Sequence, residues 1–270
     1  MPTSLKLKPE FRDKAQMASK SKPGALEEAG ATVGDSITVA NGRWSFGGDT
    51  GLHIEEHATR SIPGYRDGYT LILEFSDFFI GPTSKIIDAG CGVGWLTHAL
   101  AVRHRQTGAH VLGVDVEVGM ILEAQRRCMG CDNVTLVVDD AANIDYSGAD
   151  IVILYYVLQF MPVGARTTLL AKIFREMRHG GLLVVFEKVR FDISAIQDFG
   201  NQIYECYKIA NGYTPDEILA KARSLRGVLA PCTRSENHAL IQDVGFLAPE
   251  TIYRFLAFEG LLALRPIAKR

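Results

Sequence analysis

Apolar residues follow two rhythms along this chain. Short unbroken runs read as buried strands: Ile86-Ile87, His110–Val114, Val134–Val138, Asp150–Leu154 and Leu182–Glu187. Between them the apolar positions recur at helical spacing. Leu96 and Leu100 share a face with His104, Val118–Cys128 forms a second helix, and Leu169, Leu170, Ile173 and Met177 mark a third across 163–178. His179-Gly180-Gly181 closes that third helix. Ser235-Glu236 opens another helix, which ends at Gly245, and two strands near Thr251–Phe258 and Gly260–Leu264 bring the sheet to seven. Strands that alternate with helices predict an α/β fold with a mostly parallel sheet.

The regular alternation fails in two places. Residues 190–235 read as helical and carry Phe191, Phe199, Tyr204, Tyr207 and Asn211-Gly-Tyr213. An insertion after the fifth strand overhangs the carboxyl ends of the strands, which suits a substrate lid. Residues 36–80 hold Asn41-Gly-Arg-Trp44-Ser-Phe46, Gly47-Gly48-Asp49 and Arg60-Ser-Ile-Pro-Gly-Tyr65. An amphipathic helix with Tyr69, Ile72, Leu73, Phe75, Phe78 and Phe79 follows, ahead of Gly81-Pro82. We expect a cap over the site here. Residues 1–35 read as a flexible arm, with Lys6, Lys8, Arg12, Lys14, Lys20 and Lys22 and few large apolar groups to offset ordering entropy. The main domain is expected over 81–270.

The chemistry gathers after the first strand, in Lys85-Ile-Ile-Asp88-Ala-Gly90-Cys91-Gly92-Val-Gly94-Trp95. A strand, a glycine-rich turn and a helix hold a nucleotide-type ligand at a sheet edge, because glycine lets the main chain approach closely. A dinucleotide fingerprint would need glycine where Trp95 stands. The pattern Asp-x-Gly-x-Gly-x-Gly instead resembles motif I of the class I S-adenosylmethionine-dependent methyltransferases. Asp115 ends the second strand about 25 residues past the glycines, placed to accept from both ribose hydroxyls. Asp139-Asp140-Ala141 ends the third strand, where an acid can reach an adenine amino group. Tyr155 and Tyr156 follow the fourth strand, over the expected sulfonium.

Composition narrows the partners. The 270 residues are 47% apolar and 22% charged with net charge −2, which disfavours nucleic acid as a partner. No run of about 18 apolar residues spans a membrane, and the N-terminus lacks an apolar signal core. Five scattered cysteines suit a reducing cytoplasm. Cys128-Met-Gly-Cys131 reads as a helix end with Gly130 at its cap rather than a metal site.

From about residue 44 onward the chain resembles the carboxy-S-adenosylmethionine synthases. Those enzymes use prephenate to convert S-adenosylmethionine to its carboxymethyl sulfonium for tRNA wobble-uridine modification. The similar stretches are Trp44-Ser-Phe46, Arg60–Tyr65, Asp88–Gly92, Leu158-Gln-Phe160, Gly180–Lys188, Ala210–Tyr213 and Phe258–Leu264. The resemblance implies a Rossmann-like class I methyltransferase fold with a seven-stranded, mostly parallel sheet and an antiparallel final strand. It also implies a homodimer. Its cofactor contacts fall on Tyr65, Asp88, Gly90, Cys91, Gly92, Asp115, Val116, Asp140, Ala141 and Tyr155.

Two departures matter. Tyr155 stands where the family has an asparagine near the sulfonium substituent. Ala222 stands where it has the arginine that holds the extra carboxylate, with Arg223 one step away. We therefore expect a methyltransferase for a small aromatic or heteroaromatic acceptor, with S-adenosylmethionine as cofactor and S-adenosylhomocysteine as product. The alternative is carboxy-S-adenosylmethionine synthesis, with Arg223 as the clamp. Tyr155, Tyr156, Tyr204, Tyr207 and Tyr213 line a pocket or simply pack. His57, Glu55, Glu56, Asp49 and Glu205 are the candidate bases. A non-catalytic nucleoside-binding scaffold is the third reading.

Overall fold

The computed structural model describes residues 31–35, 37–39, 44 and 50–268. Most of the N-terminal arm, the Asn41–Arg43 and Ser45–Phe46 positions and Gly47-Gly48-Asp49 lie outside the described residues.

The alternating apolar pattern folds as the expected α/β sheet. Five strands run parallel: β3 (Lys85–Ala89), β4 (His110–Asp115), β5 (Val134–Val138), β6 (Ile151–Tyr155) and β7 (Leu182–Lys188). β8 (Glu250–Phe255) and β9 (Phe258–Leu264) complete a seven-stranded sheet in the order β5-β4-β3-β6-β7-β9-β8. β9 is antiparallel to both neighbours. β3 has β4 on one side and β6 on the other, so the strand order reverses there and a crevice opens at the carboxyl ends.

Helices cover both faces. α3 (Trp95–Arg103) and α4 (Val118–Arg127) follow β3 and β4, and α5 (Val163–Glu176) and α8 (Arg234–Asp243) pack on the opposite side. Leu169, Leu170 and Ile173 of α5 meet Val152 and Leu154 of β6, while Leu96 and Leu100 of α3 meet Ile86 and Ile153. The continuous apolar runs thus arise because each central strand is buried on two faces. α8 starts slightly earlier than expected. Thr233 is its cap, paired with Glu236 in a capping box.

Two added layers sit over the crevice. The cap comprises α1 (Thr50–Ser61) and α2 (Tyr65–Ser76). The sequence reading missed α1, whose stretch is mostly polar. The Ile62-Pro63-Gly64 joint between them has a structural cause. Gly64 holds φ +65°, and a Cβ there would stand 1.9 Å from the Tyr253 hydroxyl, which donates to the Pro63 carbonyl. The lid comprises α6 (Ser194–Ala210) and α7 (Pro215–Ser224), with Thr214 and Glu217 forming a capping box at the start of α7.

The end of the arm is folded rather than free. β1 (Ala31–Thr32) pairs antiparallel with β2 (Thr38–Val39), and Val33, Ile37 and Trp44 are buried against Ala220 and Leu225 of the lid. Isolated apolar residues in a polar stretch carry no local signal for this. Only the lid gives them a surface to cover.

Candidate functional site

The crevice is a cavity of about 760 Å³ enclosed by the glycine-rich turn, the strand ends, the cap and the lid. The turn is built by backbone bonds to the neighbouring strand. Gly90 and Cys91 donate from their amides to the Val114 carbonyl at 2.7 and 2.9 Å. Both Asp115 carboxylate oxygens are engaged, accepting from Gly92 N at 2.9 Å and Glu117 N at 3.0 Å. Each oxygen keeps a second lone pair. Burial raises the Asp115 pKa against those amide bonds. Asp88 is buried beneath the turn and accepts from Thr97 Oγ1 at 2.6 Å; burial pushes its pKa up to about 6.

Across the crevice, Asp139 is turned inward and accepts from Asn143 Nδ2, while Asp140 is exposed and caps the short 3-10 turn Ala141–Asn143 through Ala142 N. Asp140, Ala141, Asp115, Val116, Gly90 and Gly92 all line the cavity. The main chain approaches most freely at Gly92, where φ is +53° and no atom lies within 4 Å of where a Cβ would stand. These residues fit an adenosyl ligand: acids at the ends of β4 and β5, and a turn stripped of side chains beneath them.

Glu55 of α1 also lines the cavity, beside the turn. Arg127 and Arg66 approach it at 3.5 and 4.0 Å, and Arg127 donates to Val93 O. Both Glu55 carboxylate oxygens are buried with no hydrogen-bond partner among the described residues. Burial, opposed by Arg127 and Arg66, pushes its pKa up to about 7.

An aromatic wall forms the middle. Tyr65 and Tyr155 each make ring contacts with the other and with both Tyr69 and Tyr156, with centroids 4.8–5.9 Å apart. The Tyr155 hydroxyl donates to the Tyr65 carbonyl and Tyr69 Oη to Tyr65 Oη, so those groups are spent on the wall. Tyr156 differs. It sits at φ +61°, a rare backbone region for a bulky residue, and its buried hydroxyl has no partner among the described residues. The loop carrying it is clamped by the end of β7: Leu158 N donates to Glu187 and Lys188 N to Gln159 Oε1.

The far end is polar. Asp35, on the folded end of the arm, accepts from His57 Nδ1 at 2.9 Å and from the Tyr213 hydroxyl at 2.7 Å, and pairs with Arg60. Burial raises the Asp35 pKa, but the bonds from Tyr213 and His57 and the Arg60 charge outweigh that and hold it low. Burial, then the Lys221 charge, lowers the His57 pKa, which keeps the ring neutral near pH 7. With Nδ1–H given to Asp35, His57 Nε2 bears the lone pair; it is buried, lines the cavity and has no partner among the described residues. Lys221 is close enough for its charge to act on the ring, and both Lys188 and Lys221 line the same cavity.

The candidates named from sequence therefore separate. Tyr65, Asp88, Gly90, Cys91, Gly92, Asp115, Val116, Asp140, Ala141, Tyr155, Tyr156, Tyr204, His57 and Glu55 all border one cavity. Arg223, Glu56 and Glu205 are exposed and do not line it, and Asp49 lies outside the described residues. Arg223 follows Lys221 by two positions, about 200° around the helix, so when Lys221 faces the cavity Arg223 faces away. Tyr213 stands behind His57, and Tyr207 stacks on Tyr204 from outside. Sequence reasoning missed Asp35, Lys188 and Lys221. Nothing in their spacing marks them, because three separate elements bring them together.

The sheet order, the antiparallel β9 and the acid-flanked glycine turn define a class I S-adenosylmethionine-dependent methyltransferase fold. Residues 86–181 match the model of a methyltransferase domain. The carboxy-S-adenosyl-L-methionine synthase of Shewanella oneidensis is 31% identical over 209 residues, which is 76% of this chain and 86% of that protein. The synthase of Campylobacter fetus is 31% identical over 213 residues, 78% of this chain and 90% of that protein. Human N-acetylserotonin methyltransferase, solved in complex with SAM, superposes with a TM-score of 0.56 at 18% identity, over 80% of this chain but 55% of that one, and shows the fold alone. The chain belongs to the carboxy-S-adenosyl-L-methionine synthase family within that superfamily.

Proposed function

We propose that this protein is a carboxy-S-adenosyl-L-methionine synthase, with prephenate as the carboxyl donor. The observation that carries this is the likeness to such synthases over three-quarters of the chain. This reverses the weighting that Tyr155 and Ala222 suggest from sequence, which puts an aromatic-acceptor methyltransferase first.

In this reading S-adenosylmethionine would supply the methyl carbon, and its sulfonium would make the methyl C–H bonds acidic. Asp115 holds the ribose hydroxyls and Asp140 the adenine amino group. Glu55, with unused carboxylate oxygens beside the turn, suits the ammonium of the methionine part. Tyr65 and Tyr156 present ring faces to the sulfonium. Making a carboxymethyl group would break a C–H bond of that methyl and form a C–C bond to the carbon dioxide that prephenate releases as its ring aromatises with loss of hydroxide. The methyl proton ends in water with that hydroxide, and a proton acceptor within reach would carry it there. Neutral His57, oriented by Asp35, offers Nε2. The enclosing cap and lid exclude water from the reacting carbon.

The test is mass spectrometry of the nucleoside recovered after incubating the protein with S-adenosylmethionine and prephenate. A carboxymethyl sulfonium is expected. Unchanged S-adenosylmethionine, with S-adenosylhomocysteine appearing only when a small aromatic acceptor is added, selects the methyltransferase reading. Tyr155 in place of asparagine is the observation that keeps that second reading open. A homodimer goes with the synthase reading and is checked by sedimentation of the purified protein.

A further inference from the structure

Three lysines from three elements converge at the lid end of the cavity. Lys188 ends β7, Lys208 lies on α6 and Lys221 on α7. Lys188 Nζ and Lys208 Nζ lie 4.9 and 4.5 Å from the same Tyr204 ring centroid. The Tyr204 hydroxyl donates to the Ser61 carbonyl at 2.7 Å, and Lys221 Nζ donates to the Ser61 hydroxyl at 2.9 Å. Lys221 also stands 5.6 Å from the Trp44 ring. Lys188 and Lys221 line the cavity, and Lys208 is buried behind them.

Among the described residues this positive charge has no counter-ion of its own. Among the described residues no carboxylate pairs with any of the three ammonium groups. The nearby acids are committed or exposed: Asp35 is held by Arg60, His57 and Tyr213, and Glu205 faces solvent. Aromatic faces attract the ammonium groups without neutralising them. Burial first, and mutual repulsion next, push the Lys221 pKa down to about 7 and that of Lys208 to about 8; burial lowers that of Lys188. Like charges gathered in a partly dry cavity repel one another, and an anion among them relieves both the repulsion and the lost hydration. Two buried polar atoms independently point to a ligand here. His57 Nε2 and the Tyr156 hydroxyl both belong to cavity-lining residues and lack partners among the described residues.

We infer that Lys188 and Lys221, backed by Lys208, form an anion subsite that takes a substrate carboxylate, the task of the family's arginine, whose place Ala222 takes here with Arg223 one step away. It rests on the proposed function for the identity of the nucleoside, but not for the chemistry of the anion. Apart from the amino-acid carboxylate that every nucleoside probe shares, the carboxylate has two possible carriers, the free organic acid and the carboxymethyl group on the sulfonium. The lysines recognise the same group on either.

Calorimetry on the full chain tests this with four probes: prephenate, carboxy-S-adenosylmethionine, S-adenosylmethionine and S-adenosylhomocysteine. Lys221→Met and Lys188→Met keep the apolar stem and remove the charge. Each is expected to weaken prephenate or carboxy-S-adenosylmethionine on the order of 10- to 100-fold while S-adenosylhomocysteine, which carries only the amino-acid carboxylate, moves less than about threefold and so reports an intact fold; an equal loss on S-adenosylhomocysteine overturns the assignment. A loss confined to prephenate identifies the free acid as carrier, and a loss confined to carboxy-S-adenosylmethionine identifies the sulfonium substituent. Unchanged affinity for both in both variants overturns the subsite, as does a loss on Arg223→Ala with the lysine variants neutral. A wild-type protein that binds neither acid overturns it too. The two readings fail separately. Lysine-dependent binding without carboxymethyl product keeps the subsite and removes the synthase, whereas product with lysine-independent binding does the reverse.

Discussion

Gly90 has φ +87°, and a Cβ built there would stand 2.4 Å from Val157 Cγ2. Gly92 has φ +53° with nothing within 4 Å. The two glycines of one motif therefore serve different purposes. Gly90 lets the turn pass beneath the loop that carries Tyr156, and valine, stiff at χ1, cannot step aside. Gly92 leaves room above the turn. Gly90→Ala is expected to cost roughly 1–3 kcal/mol of stability and to weaken S-adenosylmethionine more than about tenfold. Gly92→Ala is expected to lose comparable affinity with a smaller drop in stability. Urea midpoints paired with calorimetry check this; equal stability losses in both variants contradict the division of labour.

Among elements, the coupling of cap, lid and folded arm is the decisive arrangement. Asp35 of the arm binds Arg60 and His57 of α1 and Tyr213 after α6, and Arg60 also donates to the Asn211 carbonyl in the lid. One buried carboxylate ties three segments that have no continuous backbone contact. Asn tolerates the positive φ of Asp35, so Asp35→Asn removes charge without straining the chain. It leaves Arg60 without its anion and is expected to cost about 1–3 kcal/mol in local opening. Hydrogen exchange over residues 194–224 should speed up while β3 to β7 stay protected. Unchanged lid exchange would mean that the lid is held by Val33, Ile37 and Trp44 alone.

At the scale of the molecule, the crevice puts buried acids inside the fold, and stability depends on pH accordingly. Glu187 of β7 is buried and accepts from Leu158 N; burial, opposed by the Arg166 charge, pushes its pKa up to about 8. Its folded pKa exceeds its unfolded one, so its contribution is fully present below about pH 4.5 and is lost as pH rises through about 8. Glu187→Gln removes that dependence. The variant should gain on wild type between pH 5 and pH 8, by on the order of 3 kcal/mol. Glu55 adds a slope of the same sign and His57 one of opposite sign, and the comparison of two chains at each pH cancels both. Parallel pH–stability curves from urea titrations would refute the assignment.

The sheet and the nucleoside half of the site were legible because their signals are local. Each central strand is an unbroken apolar run since both faces are covered, and Asp115 and Asp140, which line the cavity, end or follow their strands. Spacing along the chain therefore becomes position in space. The anion end was not legible, because Asp35, His57, Lys188 and Lys221 come from four elements whose approach depends on how cap and lid fold over the sheet. Arg223 shows the limit most directly. A shift of two residues is small in an alignment, yet it turns a helical side chain from the cavity to solvent. The amino-acid sequence by itself determined the fold, the family and which residues line the glycine-turn end of the cavity; tertiary packing alone decided which charges meet at the far end of the cavity, since a helix converts residue number into direction only once its buried face is chosen.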